Sequence, residues 1–469
     1  MTTVTTRSGG DVLLTASDLD LDGQLVGPDD ESYDRVRALW NGMIDREPGL
    51  VARCESVDDV RRSVRFAADL DLRLAVRGGG HNVAGTASVD GGLVIDLSAM
   101  NGVTVDPGAA VAAVAGGARW AEVDAATQEH GLAAPGGVVS ETGVGGLTLG
   151  GGIGWLRRKH GLACDSLIGA QLVTADGGVL EIDENDHPDL LWALRGGGGG
   201  LGVVTRFDFE LHPVGPEVFV AFVLYHGERA AEVLHAYRDY TTELDDEVSS
   251  FVILGTVPDE EDFPEDAWGE PYAMLMACAA TTDLREGERL VQPLRDLGDP
   301  IIDMSGPMPY VDLQQVLDAD YPDGLRYYWK SLHLPAMTDD VVELATEWAD
   351  NRSSDLSTLD IWHLGGAMAR VPADATAFGD RSAPYLLGVE ANWEAPAQDE
   401  ANLAWTRGCI EAFRQHSTGE EYLNFPGFFE GGDETRRAAH GAENYERLER
   451  IRRQVDPDGV FGSRPGPVG

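Results

Sequence analysis

Four glycine-dense loops are the segments of this sequence best suited to chemistry: 78–82 (Gly-Gly-Gly-His-Asn), 143–146 (Gly-Val-Gly-Gly), 150–154 (Gly-Gly-Gly-Ile-Gly), and a run 196–200 that leads into Leu201-Gly202-Val203-Val204. With no side chains in the way, backbone N–H groups can converge on an anion, or a flat ring can lie against the main chain. One such cluster is most often a tight turn. Four within about 125 residues imply a large, phosphate-bearing cofactor. A nicotinamide dinucleotide is disfavoured, because Gly-x-Gly-x-x-Gly should open a helix ahead of an acidic ribose partner and 150–154 does not fit that frame. The eleven histidines form no His-Glu-x-x-His group, and Cys54, Cys164, Cys278 and Cys409 form no Cys-x-x-Cys pair. Neither a metal site nor a disulfide framework is therefore expected.

The elements that must hold these loops follow from periodicity. Ser56 is a natural N-cap, Asp58 and Asp59 suit a helix N-terminus, and Val57, Val60, Val64 and Ala67 recur at helical spacing ahead of an expected strand at 73–77. Further strands are expected at 93–97 and 111–115, and a helix at 120–130 stopped by Gly131. Alternating residues at 203–211 read as a half-buried strand, broken by His212-Pro213 and Gly215-Pro216. Beyond that break come longer strands at 218–225, 250–256, 272–280, 359–369 and 385–392 with helices between, and finally one amphipathic helix at 433–455. The expected class is α+β, with an antiparallel sheet flanked by helices on one face in the second half. The expected division is 1–215 (core about 45–215), 216–421 as a substrate-binding domain, and a C-terminal segment 422–469 packing back on the first domain.

At 469 residues, core size is not limiting, and no apolar run is long enough to span a membrane. The start, Met-Thr-Thr-Val-Thr-Thr, lacks a cationic run followed by an apolar one, so a cytoplasmic location is expected. Acidic residues number 80 against 35 basic ones, and the lysines are Lys159 and Lys330 alone. Acids spread along the whole chain with lysine nearly absent suit a cytosol of molar salt, where screening removes most of their repulsion. The same charge argues against a nucleic-acid partner. A small-molecule substrate is expected, with no membrane partner, and no sequence signal sets an oligomeric state.

The residues closely resemble the berberine-bridge-enzyme-like branch of the vanillyl-alcohol-oxidase and p-cresol-methylhydroxylase flavoproteins, above all bacterial members related to 6-hydroxy-D-nicotine oxidase. The likeness is carried by Val76-Arg77-Gly78-Gly79-Gly80-His81-Asn82 with Gly85, by 143–152 (Gly-Val-Gly-Gly-Leu-Thr-Leu-Gly-Gly-Gly), and by Leu191-Trp192-Ala193-Leu194-Arg195-Gly196 leading to Gly202-Val203-Val204-Thr205. Tyr422-Leu423-Asn424-Phe425 and Asn444-Tyr445-Glu446-Arg447-Leu448 extend it to the C-terminus. The resemblance implies a two-lobed protein with an FAD-binding domain of the p-cresol-methylhydroxylase type. It further implies that Arg77, Gly78, Gly79, Gly80, His81, Asn82 and Gly85 wrap the FAD, with His81 bonded to the flavin 8α-methyl. Thr142, Gly143, Gly145, Gly146, Gly150, Gly152, Asp165, Gly202, Val203, Val204 and Asn424 are placed around the cofactor by the same likeness. Many plant members add a second bond from a cysteine where this chain has Val139, so a single attachment is implied.

Oxidation of an alcohol by hydride transfer also needs a base for the hydroxyl proton. The family often uses a tyrosine of a Tyr-x-Asn-Tyr segment, and here the second position is Phe425, which leaves Tyr422 as the candidate base or substrate ligand. Glu390 and His363 are further candidates from strands expected to roof the flavin; Glu390 and Asn392 share a strand face, and Trp362 and His363 do not. The expected activity is oxidation of a small CH–OH substrate such as a sugar or alcohol. An amine oxidase and a catalytically inactive flavin-binding scaffold stand as alternatives.

Overall fold

Chain segments that are apolar on both faces build the first lobe. The computed structural model of the chain describes residues 2–15, 18–428, 430 and 432–462; the end of the expected C-terminal segment, 463–469, lies outside the described residues. Leu93-Val94-Ile95 is buried on both sides and forms the centre of a four-stranded sheet in the order Gln24–Val26, Leu50–Arg53, Leu93–Asp96, Leu74–Arg77. The last three strands run parallel, as their unbroken apolar runs require. The helix Val57–Asp69 makes the crossover, and Ser56 caps it by accepting a hydrogen bond from the Asp59 amide at 3.1 Å. Ser56→Ala removes that acceptor and is expected to cost about 1 kcal/mol of stability, read from a urea melt.

A second sheet of five antiparallel strands, in the order Val179–Ile182, Leu167–Val173, Val203–Glu210, Val111–Ala115, Val103–Asp106, packs against the helices Trp120–Gln128 and Pro188–Leu194. Gly131, at φ +65°, follows the first of these helices and takes the left-handed conformation that stops it.

The largest sheet has eight antiparallel strands, all drawn from residues 217–393. Four of them matter below: β1 (Val248–Thr256), β2 (Arg326–Leu334), β3 (Thr358–His363) and β4 (Tyr385–Trp393), which lie side by side in the order β1, β3, β4, β2. The pleat gives the sheet two different faces. Val252, Leu254, Leu359, Ile361, Leu387 and Val389 pack under the helices Ala230–Thr241, Asp339–Asp350 and Asp399–Phe413. Phe251, Ile253, Trp362 and Leu386 point the other way, onto Trp155, Leu156 and Tyr422. Among the described residues no helix is long and apolar enough to cross a membrane, and no cluster of His, Cys, Asp or Glu suits a metal ion.

Three sequence expectations need correction. The single helix at 433–455 is two, Gly432–His440 and Ala442–Val455, because Gly441 adopts φ +73° between them. The strand expected at 359–369 stops at His363, where Gly365 and Gly366, both at positive φ, turn the chain into the short helix Gly366–Arg370. Strand β2 is an element the sequence reading does not contain: it is buried on both faces apart from Arg326 and Lys330, and its polar residues Arg326, Lys330, Ser331 and His333 follow no strict alternation.

Candidate active site

The face of the large sheet opposite the three long helices stands over the glycine loops, and between them lies a cavity of about 900 Å³. Its floor is main chain. Loops 78–80 and 143 meet so closely that a Cβ on Gly79 would fall 2.5 Å from the Gly143 Cα, and one on Gly143 would fall 2.4 Å from the Gly79 nitrogen. Gly79→Ala therefore has to push these backbones away from each other. We expect it to cost about 1–3 kcal/mol and to weaken whatever the seam holds, as thermal melts and cofactor titration would show.

Of the residues expected at the cofactor, Gly78, Gly79, Gly80, His81, Asn82, Thr142, Gly143, Gly145, Gly146, Gly150, Gly202, Val204 and Asn424 line the cavity. Arg77, Gly85, Gly152, Asp165 and Val203 stand behind its wall. Arg77 is buried and donates to Asp96 at 2.7 Å and to the Val36 carbonyl at 2.6 Å, fastening the strand that feeds the loop. Asp165 accepts a two-pronged hydrogen bond from Arg381 at 2.6 and 2.8 Å.

His81 projects from this floor. Its Nε2 is buried with no hydrogen-bond partner, and desolvation pushes the imidazole down to about 3, so the ring is neutral at physiological pH. Trp40 stacks on it at 4.0 Å.

The three residues expected to be catalytic are placed very differently. Tyr422 lines the cavity, where its hydroxyl accepts from the amides of Gly152 (3.2 Å) and Ile153 (3.1 Å) and from Asn424 Nδ2 (2.8 Å). Burial nevertheless raises the phenol to about 12, and it stays protonated near neutrality. Glu390 lines the cavity roof. His363 does not: alternation puts it on the same face as Leu359 and Ile361, where it borders a separate pocket with Tyr385 and meets Arg158 Nη1 at 3.4 Å. Burial, reinforced by Arg158 and Arg157, pushes its imidazole down to about 2.

In the roof, the register Asp360↔Gly388 and Trp362↔Leu386 brings Asp360 beside Glu390. These groups gather over Gly388: Glu390 Oε1, Asp360 Cβ and Trp362 Nε1 all lie 3.4–3.6 Å from where a Cβ on it would be, in ordinary van der Waals contact. Asp360 and Glu390 are 1% and 2% exposed, and Tyr321 donates its hydroxyl to Glu390 Oε2 at 3.0 Å. Burial raises both carboxyls above the ordinary range; the Glu390 charge raises Asp360 further, while hydrogen bonds from Tyr321 and Asp360 lower Glu390, so near neutrality Asp360 is the member that keeps its proton. Trp329, Trp362, Tyr321 and Phe425 supply flat apolar walls around them.

Sequence reading missed Asp360, Tyr321, Trp329 and Trp40. A signal existed for Asp360, which shares its strand face with Trp362. The others come from a loop, from the unanticipated strand β2 and from a segment near the N-terminus, and nothing local ties them to the site.

The glycine seam, the partnerless imidazole nitrogen and the long cavity fit a flat cofactor carrying phosphates. Residues 48–183 match the FAD binding domain family, and residues 421–466 match the family described as berberine and berberine like. An FAD-linked oxidoreductase of Dictyostelium discoideum is 30% identical over 380 residues, 80% of each chain. The (R)-6-hydroxynicotine oxidase of Paenarthrobacter nicotinovorans is 34% identical over 319 residues, 67% of each chain. The crystal structure of 6-hydroxy-D-nicotine oxidase from Arthrobacter nicotinovorans superposes with a TM-score of 0.84 at 29% identity, covering 96% of this chain and 98% of that one.

Proposed function

The chain belongs to the berberine-like FAD-linked oxidoreductases, and from that premise we propose that it oxidises a small hydroxylated substrate at a CH–OH carbon, its flavin tied by one covalent bond to His81. FAD bound in the cavity would accept the hydride released from that carbon. Everything else falls to side chains. Glu390 takes the hydroxyl proton; burial poises this base near neutrality rather than in the ordinary carboxylate range, and the protonated Asp360 hydrogen-bonds to it. Tyr321 keeps Glu390 in place through its hydroxyl. Tyr422, protonated and pinned by three donors, serves as a substrate ligand rather than the base. Trp329, Trp362 and Phe425 exclude water and give the substrate flat faces to lie on. The neutral imidazole of His81 is in the form able to bond to the flavin methyl carbon.

The observation that carries this reading is the buried Asp360–Glu390 pair facing a glycine-floored cavity. A second reading, oxidation at a CH–NH carbon, is favoured by the likeness to (R)-6-hydroxynicotine oxidase, and a pair bearing one negative charge also suits an ammonium group. Acid precipitation followed by anaerobic mixing tests both readings. We expect yellow colour to stay with the pellet, and sugars or alcohols to bleach the native protein. Bleaching by amines alone would transfer the assignment to amine oxidation, and bleaching by neither class would leave a flavin-binding scaffold.

The charge supports a saline cytoplasm as the working environment. Net charge is −45, and both lysines are spent in ion pairs, Lys159 with Glu247 and Lys330 with Glu421 and Glu430. Raising salt shortens the screening length from about 10 Å at 0.1 M to about 3 Å at 1 M. The melting temperature is therefore expected to climb between 0.1 and about 2 M potassium chloride; a flat or falling curve would exclude this adaptation.

A further inference from the structure

His81 sits on a loop whose preceding residues are three glycines, and its Nε2 makes no hydrogen bond. Trp40 holds the ring instead. The indole lies 4.0 Å from the imidazole at 17°, and Tyr327 lies 3.7 Å from the indole at 9°. Two nearly parallel rings cannot both sit within 4 Å of one centroid on the same face, so Trp40 is sandwiched with His81 on one side and Tyr327 on the other.

The anchors of Trp40 come from elsewhere than the glycine loop. Its Nε1 donates to the Tyr321 carbonyl at 2.8 Å, and its carbonyl accepts from the Gly324 amide at 2.8 Å. Asn41 next to it donates to the carbonyls of Val83 (2.7 Å) and Tyr327 (2.8 Å) and accepts from the Tyr327 amide at 3.1 Å. All of these partners but Val83 belong to β2 or the loop that precedes it. The plane presented to His81 is thus fixed by the large sheet.

We infer that Trp40 is the positioning residue that orients the His81 imidazole for attachment to the flavin, an inference that rests on the covalent reading above. Attachment exchanges an imidazole N–H and a C–H of the ring methyl for one N–C bond, and the two electrons and two protons released end on dioxygen as hydrogen peroxide. An imidazole free to turn about its side-chain bonds would seldom meet the methyl carbon in line; a stacked one is confined to a single plane.

The test uses full-length protein made without flavin, mixed with saturating FAD in air, with acid-precipitable flavin followed over time and FAD affinity measured separately by fluorescence quenching. Trp40→Leu is expected to bind FAD with little loss of affinity and to attach it more slowly by about tenfold or more, whereas Trp40→Phe, which keeps a stacking face, should remain within about threefold of the parent. Tyr327→Leu, which removes the backing ring without touching His81, should slow attachment by about threefold or more and decides the matter if Trp40→Leu does not fold. Attachment at the parent rate in Trp40→Leu, or in Tyr327→Leu where that variant alone folds, overturns the inference. A parent protein that never retains flavin through acid defeats the covalent reading itself, a distinct outcome.

Discussion

Glu390→Gln is expected to lower kcat/KM by about 10²- to 10⁴-fold, the usual contribution of a placed general base, while leaving flavin binding intact. Glutamine keeps the shape of the side chain and can still accept from the Tyr321 hydroxyl, so the loss isolates proton transfer from packing. The pH profile carries the sharper information. Only the deprotonated carboxylate can act as base, and burial raises Glu390 to about 7 against the hydrogen bonds from Tyr321 and Asp360 that lower it. The parent rate should therefore rise with pH through an acid limb lying well above the roughly 4–4.5 of an ordinary carboxyl. Asp360→Leu removes the hydrogen bond that holds Glu390 down and should move that limb up while sparing much of the plateau rate. A limb that stays put in Asp360→Leu, or a Glu390→Gln protein with near-parent kcat/KM, would remove the pair from the chemistry.

His81→Ala is the second variant with a large expected effect. The proposed attachment is through His81 alone, since Val139 stands where the resemblance places the cysteine of a second bond. Without it, flavin should pass wholly into the supernatant on acid precipitation, while the glycine seam still binds it reversibly in the native state. An alkylated imidazole withdraws electron density from the ring, and its removal should lower the flavin potential and slow substrate reduction by about tenfold, or ~1.4 kcal/mol in the barrier. Flavin that remained with the unfolded His81→Ala pellet would show a different attachment point.

The contrast between His363 and Asp360 shows where reading from the sequence stops. Both belong to one short strand, Thr358–His363, and alternation correctly separates them onto opposite faces. Which face is covered by helices and which looks at the cofactor is a matter of how β3 packs against residues far away in the chain. The polar residue that looked more chemical, His363, went under the helices, and the acid buried in an apolar run went into the roof. Tyr422 is a related case: its place in the cavity wall follows from the family motif, but its three hydrogen-bond donors come from two separate segments, and only their convergence makes the phenol a pinned ligand.

By itself, the sequence determined the glycine loops and their order, the histidine within the first of them, the helix caps and the parity of most strands. These are local properties: they depend on backbone freedom at single residues and on the fixed periods of helix and strand. Tertiary structure alone decided that Glu390 meets Asp360 and Tyr321, and that Trp40 lies flat on His81. Those contacts join residues 30 to 69 positions apart, and they exist because sheet register and the docking of one lobe on the other bring the groups together, which no local propensity encodes.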